Sequence, residues 1–317
     1  MSILLVTSNR LGDAILTTGA VPYLAGLYPG SKIVVACGPL PAPLFKAMPE
    51  VGEVWPLQKQ PRGGHWFRLW RMAARIRWEH VVDLRGSLIA YALRTKRRTV
   101  WHTARELRHR VVQLGETLGA DRPLAPHIVW RPQDEAEADR LLGSRRPILA
   151  IGPTANWSGK QWPAERFAAL AAALIARGGA LDAAQVLVAG APTEANMARP
   201  VMTALPPEKT VCAFGWPLPV LAAAFARASL YVGNDSGLMH LAAAVGAPAV
   251  GLFGPSRDEH YAPWGKGNRV VRTPASYEDY LVDGSLDPER AKGLMSHLEI
   301  ETVLAAIRGM AIQGMKE

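Results

Sequence analysis

The sequence predicts an α/β fold of two Rossmann-like halves, each with a parallel sheet, facing one another across a cleft. Three observations predict it. Short, continuous apolar runs recur along the chain, as strands buried on both faces require. Helix-like segments separate them, the alternation that builds parallel sheets. The series also starts twice, and 317 residues leave room for two domains of ~100–200 residues each.

In order, the first series is Ile3–Val6, Ile33–Ala36 and Val81–Leu84. The second is Ile148–Ile151, Val186–Ala189, Val211–Phe214, Leu230–Val232 and Ala249–Phe253. Glu165–Arg177 is rich in Ala and Leu, with Pro163 suited to its first turn. Val220–Arg227 and Leu238–Val245 read as similar helices. Ile3–Val6 and Ile148–Ile151 each run into a polar loop containing glycine and then a helix. The charged stretch Arg131–Arg146, with Pro132 and Pro147, places a boundary near 145 and so domains of 1–145 and 146–317. Glu299–Ile312 reads as a closing helix.

Composition narrows the class. At 49% hydrophobic and 20% charged residues, the chain can bury two cores, which excludes disorder as its main state. Two cysteines exclude a disulfide scaffold; Cys37 and Cys212 lie in apolar runs of separate halves and are expected as buried free thiols in a reducing cytosol. The N-terminus shows no secretory pattern. Apolar stretches such as Phe167–Ala176 are about half the ~20 residues a membrane span needs. The expectation is a cytoplasmic monomer that makes peripheral contact with the membrane surface.

The charge is uneven. Of 36 Lys+Arg and 27 Asp+Glu, 13 basic residues and three acids lie in residues 62–110. That window carries +10 and the remainder −1, against a total of +9. Such a surface meets an anionic partner. No recognised nucleic-acid motif accompanies it, so nucleic acid is not the expected partner. The alternative for Arg68–Arg77 is an amphipathic helix with a solvated basic face and Trp70 and Ile76 packed inward.

Ligands of open parallel sheets bind beyond the carboxyl ends of strands, which selects four loops. Thr7-Ser8-Asn9-Arg10-Leu11-Gly12-Asp13 follows the first strand; Asp13 is either a general base or a helix cap. Residues 152–163 follow the first strand of the second half; Thr154 and Lys160 suit a diphosphate, or Lys160 is simply solvated. Gly233-Asn234-Asp235-Ser236-Gly237-Leu238-Met239-His240 opens a helix whose amides, with Ser236 and Gly237, make an anion site. His240 falls one turn after Ser236; the alternative is an Asp cap with a packed histidine. Glu194, after Val186–Ala189, faces a ribose diol or is an exposed helix residue. No paired metal-ligand spacing, dinucleotide fingerprint, Walker loop or nucleophile elbow occurs, so neither metal nor cofactor is expected.

The stretch VGNDSGLMHLAAAVGAPAVGLFGPS at Val232–Ser256 closely resembles the signature of glycosyltransferase family 9, the family of ADP-heptose:lipopolysaccharide heptosyltransferases. ILLVTSNRLGDAILTTGAVPYL at Ile3–Leu24, KQWPAERFAAL at Lys160–Leu170 and the GLM…I…V pattern at Gly293–Val303 agree in order. The resemblance implies a GT-B fold, acceptor on the first domain and ADP-sugar donor on the second, with the last helix returning to the first. It implies an inverting single displacement with Asp13 as base. Lys160 is implied beside the donor phosphates, Asp235, Ser236, Gly237 and His240 in the donor loop, and Glu194 near the nucleoside. The acceptor side would comprise Asn9, Arg10, Gly12, Arg62, Arg97 and Arg98, facing an anionic glycolipid at the inner membrane surface. Pro274–Gly293 lacks the cysteine pair of some members and Arg10 stands at a variable position, which leaves the acceptor open. The competing functions are a non-catalytic nucleotide-sugar binder and a GT-B-like sugar-nucleotide epimerase.

Overall fold

The computed structural model describes residues 1–101, 107–143, 147–282, 285–286 and 293–310. The junction at 145–146, Arg105 and the last two residues of the expected closing helix, 311 and 312, lie outside the described residues. The chain forms two compact units, Met1–Arg131 and Pro132–Glu317.

The first unit runs β1 (Ser2–Val6), α1 (Leu11–Leu16), α2 (Ala20–Leu27), β2 (Lys32–Cys37), α3 (Ala42–Ala47), β3 (Val51–Pro56), α4 (Gly64–Ala73), β4 (Trp78–Asp83), β5 (Thr95–Val100) and α5 (Arg110–Leu118). Its five strands are parallel in the order β3-β2-β1-β4-β5. Side chains alternate across a strand. Ile3, Leu5, Ile33 and Val35 therefore enter one core layer, and Leu4, Val6, Val34 and Ala36 the other. The winding reverses between β1 and β4, where Val6 lies opposite Asp83.

The second unit runs α6 (Pro132–Leu142), β6 (Ile148–Gly152), α7 (Ala164–Ile175), β7 (Gln185–Val188), α8 (Arg199–Ala204), β8 (Thr210–Cys212), α9 (Leu218–Ala226), β9 (Leu230–Asn234), α10 (Gly237–Ala244), β10 (Ala249–Phe253), α11 (Asp258–Tyr261), β11 (Arg269–Arg272) and α12 (Ile300–Arg308). Six parallel strands are ordered β8-β7-β6-β9-β10-β11, and a short antiparallel ribbon pairs Leu281–Val282 with Ser285–Leu286. The winding reverses between β6 and β9.

Three expected features take the following forms. The unit boundary falls before Pro132 because the charged stretch is the amphipathic α6, which packs on α9 and buries Ala138 and Leu142. The closing helix α12 is built into the second unit, where Val303 and Ile307 join the core beside α7 and β11. Cys212 is exposed, because β8 is an edge strand; Cys37 is buried, and burial pushes its thiol up to about 12 against the nearby Lys46 charge.

One core residue of the first unit titrates in an accessible range. His80 of β4 is buried, with Nδ1 3.2 Å from the Tyr28 hydroxyl and Nε2 2.9 Å from that of Thr99. Burial, and then the Arg97 charge, lower its pKa from 6.5 to about 4. The unfolded chain therefore binds the extra proton between those values, so stability falls as pH drops through this window, by about 3 kcal/mol in all. Urea unfolding at pH 7 and 4.5 is expected to show a pH dependence smaller by about 2 kcal/mol in His80→Gln.

Candidate functional site

Open parallel sheets bind ligands where the strand order reverses, and each unit gathers polar residues there. In the second unit, Gly152 ends β6 opposite Gly233 of β9. Asn234 closes β9 and is completely buried. Its Oδ1 accepts from the Trp162 amide at 3.0 Å and its Nδ2 donates to the Pro153 carbonyl at 2.9 Å. One amide thus holds both ends of the loop after β6. The Trp162 indole adds an anchor, donating to the Leu298 carbonyl at 2.8 Å and packing edge-on against Phe167.

Held this way, Lys160 Nζ lies 2.5 Å from Asp235 Oδ2; the side chains are 25% and 6% exposed. Asp235 is therefore Lys160's partner and not a helix cap. The cap of α10 is Ser236, whose side chain makes no capping bond, so the first-turn amides take no acceptor from it. Thr154 is buried and donates to Glu194 Oε2 at 2.6 Å; the Ala191 amide donates to the same oxygen at 3.0 Å. Glu194 is consequently oriented rather than loosely exposed. His240 is buried one turn into α10, its ring 6.3 Å from that of Tyr261. The pair Lys160–Asp235 is neutral and Glu194 adds a negative charge. Attraction for an anion must therefore come from the amides and Ser236 together with Lys160, whose ammonium can share its three donors.

In the first unit, α1 begins at Leu11 with Arg10 at its cap and no side-chain capping bond. Gly12 is its second residue and Asp13 its third, so Asp13 is not the cap. The Ser8 hydroxyl lies 3.4 Å from Asp13 Oδ2 and accepts from the Arg10 amide at 3.1 Å. Asn9 Oδ1 accepts from Arg85 at 3.1 Å, and the Arg85 guanidinium stands 5.0 Å over the Trp66 ring. A Cβ on Gly38 would come within 2.6 Å of the Asn9 Cα, so a glycine is needed where the loop after β2 supports this one. Asp83, at the end of β4, is buried and accepts from the Ser87 hydroxyl at 2.6 Å and the Arg85 amide at 2.9 Å. Burial nevertheless raises its pKa.

Within the basic window, neighbouring arginines take different positions. Arg97 and Arg98 are neighbours on the edge strand β5 and so point to opposite faces. Arg97 acts on His80. Arg98 donates to the carbonyls of Ala90 and Leu93 and stacks over Tyr91, a structural role. Arg62 is exposed before α4 with a left-handed φ of 52°. The inward face of α4 is His65, Leu69 and Ala73; Trp70 points outward with Phe67, correcting the expected packing.

Residues 56–282 match the family model for glycosyltransferase family 9 (heptosyltransferase). The chain belongs to that family. This family 9 chain is 26% identical over 320 residues to lipopolysaccharide heptosyltransferase 2 of Salmonella typhimurium, covering 87% of this chain and 89% of that one. Among solved structures, the family 9 glycosyl transferase of Veillonella parvula superposes with a TM-score of 0.79 at 24% identity, covering 97% and 96% of the two chains. The ADP-heptose lps heptosyltransferase II of Escherichia coli gives 0.76 at 23%, covering 97% and 98%. These establish the GT-B fold for the family 9 chain.

Loop 7–13, Lys160, Glu194 and the α10 start were visible in the sequence as polar residues after apolar runs. Asn234 stood within such a loop, but nothing in its spacing distinguishes a clamp from a turn residue. Arg85 was hidden among the basic residues and Asp83 inside an apolar run. Asn234→Ala would leave the Trp162 amide and Pro153 carbonyl without their partner. It is expected to cost about 2 kcal/mol or more in urea unfolding.

Proposed function

We propose that this chain transfers a heptose from ADP-heptose to a hydroxyl of an anionic lipopolysaccharide-core acceptor, with inversion, by single displacement. The observation that carries the reading is the polar cluster where β6 and β9 diverge, in a chain whose curated relative is named a lipopolysaccharide heptosyltransferase and whose solved relative is named for ADP-heptose. The donor diphosphate takes the first-turn amides of α10, Ser236 and Gly237, and shares Lys160 with Asp235. These groups meet the charge that grows on departing ADP. Glu194, already oriented by Thr154, presents its second oxygen to the ribose diol. His240 supports the start of α10 from within the core.

On the acceptor side, Asp13 takes the proton of the attacking hydroxyl late, as the bond to the anomeric carbon forms. Ser8 orients the carboxylate, and Asn9, Arg10, Gly12, Arg62 and Arg97 contribute to the acceptor surface. ADP leaves from the face opposite the incoming hydroxyl, which inverts the centre. The reading requires no metal or further cofactor. With Asp13→Asn, turnover should fall by roughly 10²–10⁴ while ADP binding, followed by calorimetry, stays within about twofold. Full turnover in that variant would remove Asp13 as the base.

The acceptor's membrane gives a second part to the reading: peripheral contact at the cytoplasmic face, made by α4. Phe67 and Trp70 stack at 5.8 Å and are 62% and 39% exposed. The segment Leu88–Ala92 packs on α4 and adds Leu88 and Tyr91, 82% and 58% exposed. Arg68 and Arg71 are exposed on the same helix. Exposed aromatic and aliphatic groups among arginines suit the surface of an anionic bilayer, and no helix among the described residues is long and apolar enough to cross one. Replacing Phe67 and Trp70 by Ser should weaken co-sedimentation with anionic vesicles about tenfold or more; unchanged binding would sink this contact.

A further inference from the structure

Tyr231 lies on β9, two residues before Gly233, so the two share one face of the strand. Its side chain is completely buried, with the ring edge-on to Phe225 at 5.3 Å. The phenol oxygen sits over the glycines that end the two diverging strands: a Cβ on Gly152 would lie 2.0 Å from it, and one on Gly233 2.4 Å. Both positions must be glycine while this tyrosine stands there. The hydroxyl is thereby delivered to the carboxyl ends of β6 and β9, at the start of α10.

No partner among the described residues hydrogen-bonds to that hydroxyl. The same holds for the buried oxygen of Ser236, the cap of α10. Unsatisfied buried hydroxyls are uncommon, because each forfeits its bonds to water. Two at one helix start mark a place where an acceptor is missing. Burial raises the Tyr231 pKa, and interaction with the Ser236 hydroxyl opposes the rise. The two groups therefore interact, though short of a hydrogen bond of ordinary geometry.

We infer that Tyr231 is a positioning residue of the donor site, its hydroxyl donating to Ser236 Oγ so that the Ser236 hydroxyl donates to a diphosphate oxygen. A diphosphate supplies the missing acceptor, and the chain phenol–serine–phosphate satisfies both hydroxyls at once. The inference rests on the reading that the start of α10 takes the donor diphosphate. Phenylalanine would fill the same space over Gly152 and Gly233 without the donor.

The test measures ADP affinity by calorimetry and ligand-free melting temperature for Tyr231→Phe, Ser236→Ala and the double variant. The expected result for Tyr231→Phe is a roughly fivefold to tenfold loss of ADP affinity, the size of one hydrogen bond, with a melting temperature unchanged or raised. Ser236→Ala should weaken ADP binding, and the double variant should bind no more weakly than Ser236→Ala alone. Unchanged ADP affinity in Tyr231→Phe beside a weakened Ser236→Ala overturns the inference. So do fully additive losses, or a lowered melting temperature without a loss of affinity. If neither single variant alters ADP affinity, the reading of α10 as the diphosphate site fails, and this inference fails with it.

Discussion

The amide of Asn234 has to be satisfied inside the protein, and the way it is satisfied organises the second unit's site. A completely buried carboxamide needs both a donor and an acceptor, and the loop after β6 supplies them from its two ends. An irregular loop of eleven residues, 153 to 163, is thereby tied to the end of a central strand. Lys160 meets Asp235 because that loop is closed there, and Asp235 immediately follows the residue that closes it. Trp162, fixed in turn to the Leu298 carbonyl, carries the same constraint to the C-terminal segment that packs under α7.

The named charged groups of this site sum to one negative charge before any ligand arrives. Lys160 and Asp235 cancel, Glu194 adds one negative charge, and Thr154 and Ala191 hold Glu194 in place. An exposed cluster of lysines would attract anions indiscriminately. Here the favourable groups for a diphosphate are directional: helix amides, a capping serine whose hydroxyl is free of its helix, and one lysine with donors to share.

In the first unit the corresponding place is built around carboxylates. Asp83 is buried and accepts hydrogen bonds from the Ser87 hydroxyl and the Arg85 amide, while Asp13 lies in the first turn of α1 with the Ser8 hydroxyl 3.4 Å away. The former holds the turn after β4. The surrounding positive charge is dispersed by strand geometry. Arg98 binds backbone carbonyls and Arg97 bears on His80, so a linear run of basic residues becomes two faces with different duties.

The sequence by itself determined the fold class and the places where chemistry could occur. Central parallel strands are buried on both faces and so announce themselves as apolar runs, which is why β1, β2, β4, β6, β7, β9 and β10 were legible, and the polar loops after them with Asp13, Lys160 and Ser236. Of the four edge strands of the parallel sheets, β8 showed itself as the apolar run Val211–Phe214, whereas Val51–Pro56, Thr95–Val100 and Arg269–Arg272 carry no such run because part of their surface faces water. Tertiary structure decided which polar residues meet. The pairing of Lys160 with Asp235, 75 residues apart, the clamp at Asn234 and the phenol of Tyr231 over two glycines depend on strand order. Strand order is set by how separate segments pack, and local periodicity does not encode it.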